Sequence, residues 1–484
     1  MFLKRPPKHS SGRLAGGVAI LGAMLSLGSA QAADTQAADA QAADAQAAGA
    51  QATSKDDLWH RDTLTGNWFG FGDKLSDKGI SLSATETSEF LSDVSGGLKR
   101  GSAFDGRLEM DLDLDLAKLA GWQGATIHAS AYQIHGRGLS GNYTGNILDV
   151  SNIEAERTTR LFDLYLEQSL MGGKLSVRLG QIAADDEFIT SSTAGTFING
   201  AFGWPGITAA DLPSGGPAYP LATPGVRVRY NFSDQLSWQT AVMNGNPGGD
   251  TYAADGQAHD ANGLAFPLNQ GVFVITEGSW SRAGDKDKGV LPATYKLGAW
   301  YDSQPFADQR FDQNGVSLAS PASNGIPRNH NGDWGIYGVV DRMLYRVPGT
   351  DDHGLSAFLR LAGSPSPQNL VSFYADGGLT WKAPFASRGD DTVGLAVAWA
   401  EISNRAADLD RDTNFFNGTN APVRDREIAI EATYQAQVAP WLVVQPDLQY
   451  IVHPGGNIAD PNDPAGTKAV EDAVVVGVRS VVKF

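Results

Sequence analysis

The stretch RLEMDLDLDL, residues 107–116, sets the terms for the whole chain. Leu108, Met110, Leu112, Leu114 and Leu116 alternate with Arg107, Glu109, Asp111, Asp113 and Asp115. Side chains along a strand point to opposite faces in turn, so this period of two makes one apolar face and one charged face. A helix would mix the two sets. The scheme returns in GVRVRYNF (225–232), where Val226, Val228, Tyr230 and Phe232 oppose Arg227 and Arg229. In EIAIEATY (427–434), Ile428, Ile430 and Tyr434 oppose Glu427 and Glu431. The chain ends in the same way: in AVVVGVRSVVKF, Val474, Val476, Val478, Val482 and Phe484 share a face, with Arg479 and Lys483 on the other.

The period predicts sixteen strands. Eight fall near 80–91, 106–116, 124–134, 160–170, 174–182, 224–233, 235–244 and 271–280. Eight more fall near 293–302, 333–346, 354–363, 371–383, 391–402, 425–438, 440–452 and 470–484. The gaps alternate in length. Short connections such as MGG (171–173), SDQ (233–235) and APFASRGDD (383–391) exchange with long ones at 135–159, 183–223, 245–270, 303–332 and 403–424.

Short turns at one end and long loops at the other are the pattern of an outer-membrane barrel. The hydrocarbon of a bilayer offers no water to backbone amides, so a sheet spans it only by closing on itself. An up-and-down sheet with both termini on one side needs an even strand count, and barrels of roughly 16 to 18 strands enclose an aqueous channel. The fold class predicted is therefore all-β, a 16-stranded antiparallel transmembrane barrel. A soluble propeller or solenoid would repeat a unit of about 40 to 50 residues, and no such repeat occurs here.

Lys4, Arg5, Lys8 and Arg13 precede the apolar run LAGGVAILGAMLSLG, which ends at Ala30-Gln31-Ala32, the form of a secretory signal peptide over 1–32. The Ala/Gln/Asp-rich repeat that follows has no packing face, and 33–57 reads as a low-complexity tether. The barrel domain takes 58–484, with a short segment, 58–79, before the first strand. The net charge of −17 argues against a nucleic-acid partner, and the absence of cysteine excludes a disulfide scaffold.

Motifs for chemistry are few. GRGLSG (136–141) matches a dinucleotide fingerprint but opens no helix or βαβ unit, so its glycines read as a turn at a strand end. DLDRDTNFFNGT (408–419) begins like a calcium loop, yet Thr413 and Thr419 stand where Gly and Glu are needed; the alternatives are a loose calcium site and a solvated acidic loop. Neither H-E-x-x-H nor G-x-S-x-G occurs. No cofactor and no enzyme activity are expected. A barrel-embedded lipid hydrolase with Ser and His drawn from separate strands is the competing reading from another class. The gap 183–223 is rich in aromatic residues for a wet loop, and folding into the barrel would bury Phe197, Phe202, Trp204 and Tyr219. The alternative is packing outside, against a neighbouring subunit.

Eight stretches carry a family resemblance. They are LTGNWFG (64–70), LAGWQGATIHASAYQIHGRGLSG (119–141), NIEAERTTRLFDLYLEQ (152–168), GQIAADDEF (180–188), FGWPG (202–206), GGPAYPLATPGVRVRY (215–230), SFYADGGLTWK (372–382) and YQAQVAPWLVVQPDLQYIVHPGG (434–456). In these the chain resembles the carbohydrate-selective porins of Gram-negative outer membranes, the OprB type. The resemblance implies passive uptake of monosaccharides and similar small neutral sugars past inward loops lined by arginine, carboxylate and aromatic side chains. Carried onto this chain it points to Arg137, Glu154 and Trp204: an aromatic face for the sugar ring, and an arginine and a carboxylate for its hydroxyls. The alternation adds lumen-facing Arg178, Arg227 and Arg229, with Asp185, Asp186 and Glu187 as carboxylates able to pair with them. The resemblance also makes Phe484 a signal to the barrel-assembly machinery, and it sets the chain among outer-membrane lipid. A general or ion-selective porin is the nearest alternative, and a homotrimer is an assembly that the sequence leaves open.

Overall fold

The computed structural model describes residues 57–67, 70–250 and 255–484. The leader at 1–32, and the tether up to residue 56, lie outside them. The first eight strands are β1 Ile80–Gly97, β2 Gly101–Asp115, β3 Ala125–Gly136, β4 Thr158–Leu170, β5 Leu175–Ile182, β6 Thr223–Asn231, β7 Leu236–Asn244 and β8 Val272–Arg282. The second eight are β9 Ala293–Asp312, β10 Pro327–Arg346, β11 Gly354–Gly363, β12 Val371–Lys382, β13 Thr392–Ile402, β14 Arg426–Ala439, β15 Leu442–Val452 and β16 Glu471–Lys483. Each pairs antiparallel with its sequence neighbours, and β1 pairs with β16 to close the barrel. The seam carries an ion pair on its inner face, where Glu89 and Arg479 stand directly opposite. The Phe484 N–H donates to the Ala84 carbonyl at 2.9 Å and extends the seam by one rung.

Outside, the alternation exposes aliphatic side chains such as Leu297, Ile336, Leu379 and Leu395, with aromatic rings toward the strand ends. Trp280 with Tyr295, Tyr345 with Trp381 and Phe385 with Tyr434 mark the short-turn end; Phe90, Phe104, Tyr301 and Trp334 stand toward the long-loop end. These are the two interfacial girdles of a membrane barrel. Both described ends lie at the short-turn end: Leu64 N donates to Lys483 O at 2.7 Å, and Trp441 Nε1 donates to Leu58 O at 2.7 Å.

All sixteen predicted strands are present. β1, β2, β9 and β10 extend furthest beyond their predicted ranges and run 18, 15, 20 and 20 residues. Near the long-loop end of β10 the outward positions stop being apolar, as at Arg328 and His330, so the sequence signal ends while the hydrogen-bond ladder continues. The gap 403–424 holds a helix, Asn404–Asn417, begun by the Ser403 side chain accepting from Ala406 N and stopped by Gly418 in the left-handed region. Its acids are neither loosely solvated nor gathered: Asp408 and Asp412 bind Arg310, and Asp410 binds Arg424. Among the described residues no group of three His, Asp or Glu side chains is placed to hold a metal ion. GRGLSG ends β3 at Gly136, with φ 81°, but its last two residues open a five-residue π-helix, Ser140–Thr144, where the sequence predicts only a turn.

The lumen is where the core sits. The segment between β5 and β6 folds inward, and Phe197 and Phe202, 1% and 2% exposed, pack against Phe358 of β11. Room for them comes from Gly394, Ala396, Ala398 and Ala400 on the inner face of β13; a Cβ on Gly394 would meet the Phe197 ring at 2.8 Å. Polar clamps then fix the segment to the barrel wall. Glu277 of β8 accepts from Ile189 N, Asp341 of β10 from Thr193 N and the Ser191 and Ser192 hydroxyls, and Glu431 of β14 from Ile198 N and Asn199 N. Arg360 of β11, ion-paired to Asp376 of β12, donates to the carbonyls of Ile189, Ala201 and Gly203. Ile189 is held between two clamps at φ 61°, a conformation that costs a β-branched residue about 1–3 kcal/mol.

Two substitutions test this architecture. Leu395→Arg, on the lipid face of β13, should cost about 2–4 kcal/mol in urea unfolding from lipid vesicles; a cost under about 0.5 kcal/mol would take that face out of the lipid. Arg360→Met leaves Asp376 buried with Tyr374 as its remaining side-chain partner, a loss of about 3–5 kcal/mol. It should free the inward segment and raise single-channel conductance in a planar bilayer. Unchanged conductance in a folded variant would mean that Arg360 does not hold the constriction.

Candidate functional site

Opposite the clamped side, strands β2–β6 present charged and aromatic groups to the lumen. Register puts Arg178 beside Arg227, and Arg229 two residues on, all on the inner face. Between them stands Glu187, just past β5 on the inward segment. It accepts from Arg227 Nε at 2.6 Å and Nη2 at 2.9 Å, from Arg229 Nη2 at 3.1 Å, and lies 3.5 Å from Arg178 Nη2. Burial opposes its ionisation, but the three guanidiniums outweigh that and hold the carboxyl down to about 2. Glu167 of β4 is the second carboxylate, 2.9 Å from Arg178 Nη2 and 3.2 Å from Arg227 Nη2. Three guanidiniums against two carboxylates leave one positive charge in excess. They are also held still, so that the roughly 2 kcal/mol of rotamer entropy in each arginine is not lost again when a solute binds.

Aromatic faces stand beside these charges. The Arg178 guanidinium lies 3.9 Å from the centre of the Tyr165 ring, and His128 stacks on that ring at 5.0 Å while its Nδ1 bonds Asp113 at 2.8 Å. Along the same wall Arg107 pairs with Glu109 at 2.9 Å and sits over Tyr132 and Tyr219 at 4.8 and 5.1 Å. The wall thus alternates flat apolar rings with fixed donors and acceptors.

Of the residues singled out in the sequence, Arg178, Arg227, Arg229 and Glu187 come together in this wall. The others stand elsewhere. Asp185 accepts from Tyr219 N at 2.9 Å, and Asp186 lies beside the buried Asp163 carboxyl. Neither is paired with the arginine trio, whose partners are Glu187 and Glu167. Glu154 accepts from Leu139 N and Ser140 N and ties a loop together. Trp204 is half-buried against the inner core, and its Nε1 donates to Gly215 O at 2.9 Å. Arg137 is not in the lumen wall: it is exposed at the long-loop rim, with Nη2 donating to Tyr143 Oη at 2.8 Å.

Tyr165, Glu167, His128, Arg107 and Glu109 were not singled out in advance. The signal for them was present. RLEMDLDLDL already put Arg107 and Glu109 on the polar face, and in LFDLYLEQ (161–168) Tyr165 and Glu167 alternate with Leu164 and Leu166. Alternation alone gives the face, but not which of its many polar residues meet across three strands.

The profile of the carbohydrate-selective porins, OprB family, matches residues 99–484. Porin B of Pseudomonas aeruginosa is 25% identical over 438 residues, covering 86% of this chain and 90% of that protein. A putative porin, QuiX, of Acinetobacter baylyi is 23% identical over 464 residues, covering 89% and 96%. The high-pH structure of Pseudomonas putida OprB superposes with a TM-score of 0.77 at 24% identity over 88% of this chain and 99% of that one, a likeness of fold. With its profile matched over most of its length on a closed sixteen-stranded barrel, this chain belongs to the OprB family of carbohydrate-selective porins.

Proposed function

We propose that monosaccharides and similar small neutral carbohydrates pass between the arginine–tyrosine wall of β2–β6 and the clamped segment opposite, and are selected there. The chain is an outer-membrane sugar channel of the Gram-negative type, and its fold and family are those of a channel rather than an enzyme. The observation that carries the finer reading is Arg178, stacked on Tyr165 and anchored by Glu167. A sugar has two chemistries, an apolar C–H face and a rim of hydroxyls. An aromatic ring receives the first; fixed guanidiniums and carboxylates replace the water lost by the second. Such binding must stay weak, because a channel releases what it binds. Trp204 and Glu154 take supporting parts in this reading, shaping and fixing the loops that narrow the lumen. Asp185 and Asp186 act likewise at the root of the inward segment.

Each chain closes its own barrel, so the reading needs no second copy; a homotrimer would add no residue to the pore. Phe484, seated at the closing seam, is our assignment for the contact with the assembly machinery.

Liposome swelling with purified protein and a size series of sugars, beside size-matched amino acids and sugar acids, tests the reading. Monosaccharides should enter faster than size-matched solutes. Entry ordered by size alone would make the pore a general one. In planar bilayers, Arg178→Gln should weaken block of the ion current by monosaccharide about tenfold, the loss of one charge-assisted hydrogen bond worth about 1.5 kcal/mol. Unchanged block would move selection away from this wall.

A further inference from the structure

On the opposite side of the barrel wall, at the long-loop end of β1–β3, lies an open cleft of about 680 Å³. Its floor is Phe90 and Phe104, paired across β1 and β2 on the outward face and about half exposed. Its upper edge is formed by Arg137 and Arg157, with Glu156 beside them. Lys99 and Arg100, exposed in the β1–β2 turn, stand at the same end of the wall. The Tyr143 ring gathers two of these cations, with Lys99 Nζ 5.2 Å and the Arg137 guanidinium 5.6 Å from its centre.

No carboxylate is bound to Lys99, Arg100, Arg137 or Arg157 among the described residues. Elsewhere toward this end Arg310, Arg411, Arg424 and Arg426 each hold an aspartate, while Arg328 and Arg405 stand singly rather than in a group. The chain as a whole carries −17, so a set of unmatched cations directly above lipid-facing phenylalanines runs against its bulk charge. One rung below, the outward Ser88, Glu86, His135 and Gln133 are bonded to one another and ask for no partner.

We infer that this cleft binds an anionic glycolipid of the outer leaflet, with its headgroup phosphate against Arg137 and Arg157 and its acyl chains on Phe90 and Phe104. The two halves of the site match the two halves of such a lipid. Planar guanidiniums suit phosphate oxygens in pairs. The girdle rings sit at the depth where acyl chains begin. The long-loop end faces the outer leaflet, because both described ends of the chain and the short turns lie at the other end. An ordered lipid there would also brace the hairpin of β1 and β2 against the loop that follows β3.

The test uses the full chain purified in detergent, with bisphosphorylated, hexa-acylated lipid A as the probe and native mass spectrometry as the readout. The double variant Arg137→Gln/Arg157→Gln should bind lipid A about tenfold or more weakly than the parent. Dephosphorylated lipid A should bind the parent as weakly as lipid A binds the variant. Arg328→Gln, an exposed cation elsewhere at the long-loop end, should change nothing. Heat-resistant compact migration on gels checks that each barrel is folded. Equal binding by the parent and the double variant overturns the inference. So does displacement of lipid A by inorganic phosphate at equal concentration, which would make the cleft a simple anion site. Phe90→Ser/Phe104→Ser breaking an oligomer in lipid-free detergent would overturn it as well, by giving this face to a second copy of the chain.

Discussion

Unpaired backbone amides are too costly to leave in hydrocarbon, and that one constraint generates the rest of this structure. It forces the sheet to close, and closure through β1 and β16 fixes an even number of strands with both ends on one side. Closure also fixes the size of the hole. A sixteen-stranded barrel is too wide to be filled by its own wall side chains, so selectivity has to come from something folded inside it. The segment between β5 and β6 folds into it and is the selecting element on our proposal, and the inner wall is divided between holding it and facing it.

The holding side explains residues that would otherwise be puzzling in a barrel wall. Glu277, Asp341, Glu431 and the Arg360–Asp376 pair are fully or largely buried, and a buried charge is weak evidence for stability by itself. Here Glu277, Asp341 and Glu431 accept from backbone N–H groups of a segment that forms no ladder of its own, and Arg360, anchored by Asp376, donates to its carbonyls. The clamps supply, from the wall, the hydrogen bonds that a strand or helix would have supplied internally. They also maintain Ile189 in a backbone conformation it would not keep alone. The facing side follows a different rule. Its charges are paired among themselves and, apart from the buried Arg227, remain partly accessible beside aromatic rings, which suits reversible contact with a polar, uncharged solute better than capture of an ion.

How much of this was legible in the sequence depended on whether the signal was local. Alternation within ten residues is local, and it found every strand, including the inward direction of Arg178, Arg227 and Arg229. The long strands β9 and β10 were cut short because their ends leave the lipid and lose the apolar half of the pattern. Asp408, Asp410 and Asp412 looked like a calcium loop at alternate positions; a helix turns them toward arginines that the sequence places far away. The site itself was the least legible part. Glu167 meets Arg227 across an intervening strand, and Arg137, which the family resemblance carried toward the pore, follows a strand end that turns it to the rim. Contacts across a closed sheet depend on register, and register is a property of the whole barrel.

On the proposed function, sugar and the clamped segment meet in the lumen. The chain has no cysteine, so Ser192→Cys places a single thiol on the exposed side of that segment. The decisive measurement is the rate at which a small charged thiol reagent modifies it in protein embedded in vesicles, with and without monosaccharide. A monosaccharide should slow modification in a saturable way, while a size-matched amino acid should not. A rate indifferent to monosaccharide, or slowed equally by both solutes, would contradict it.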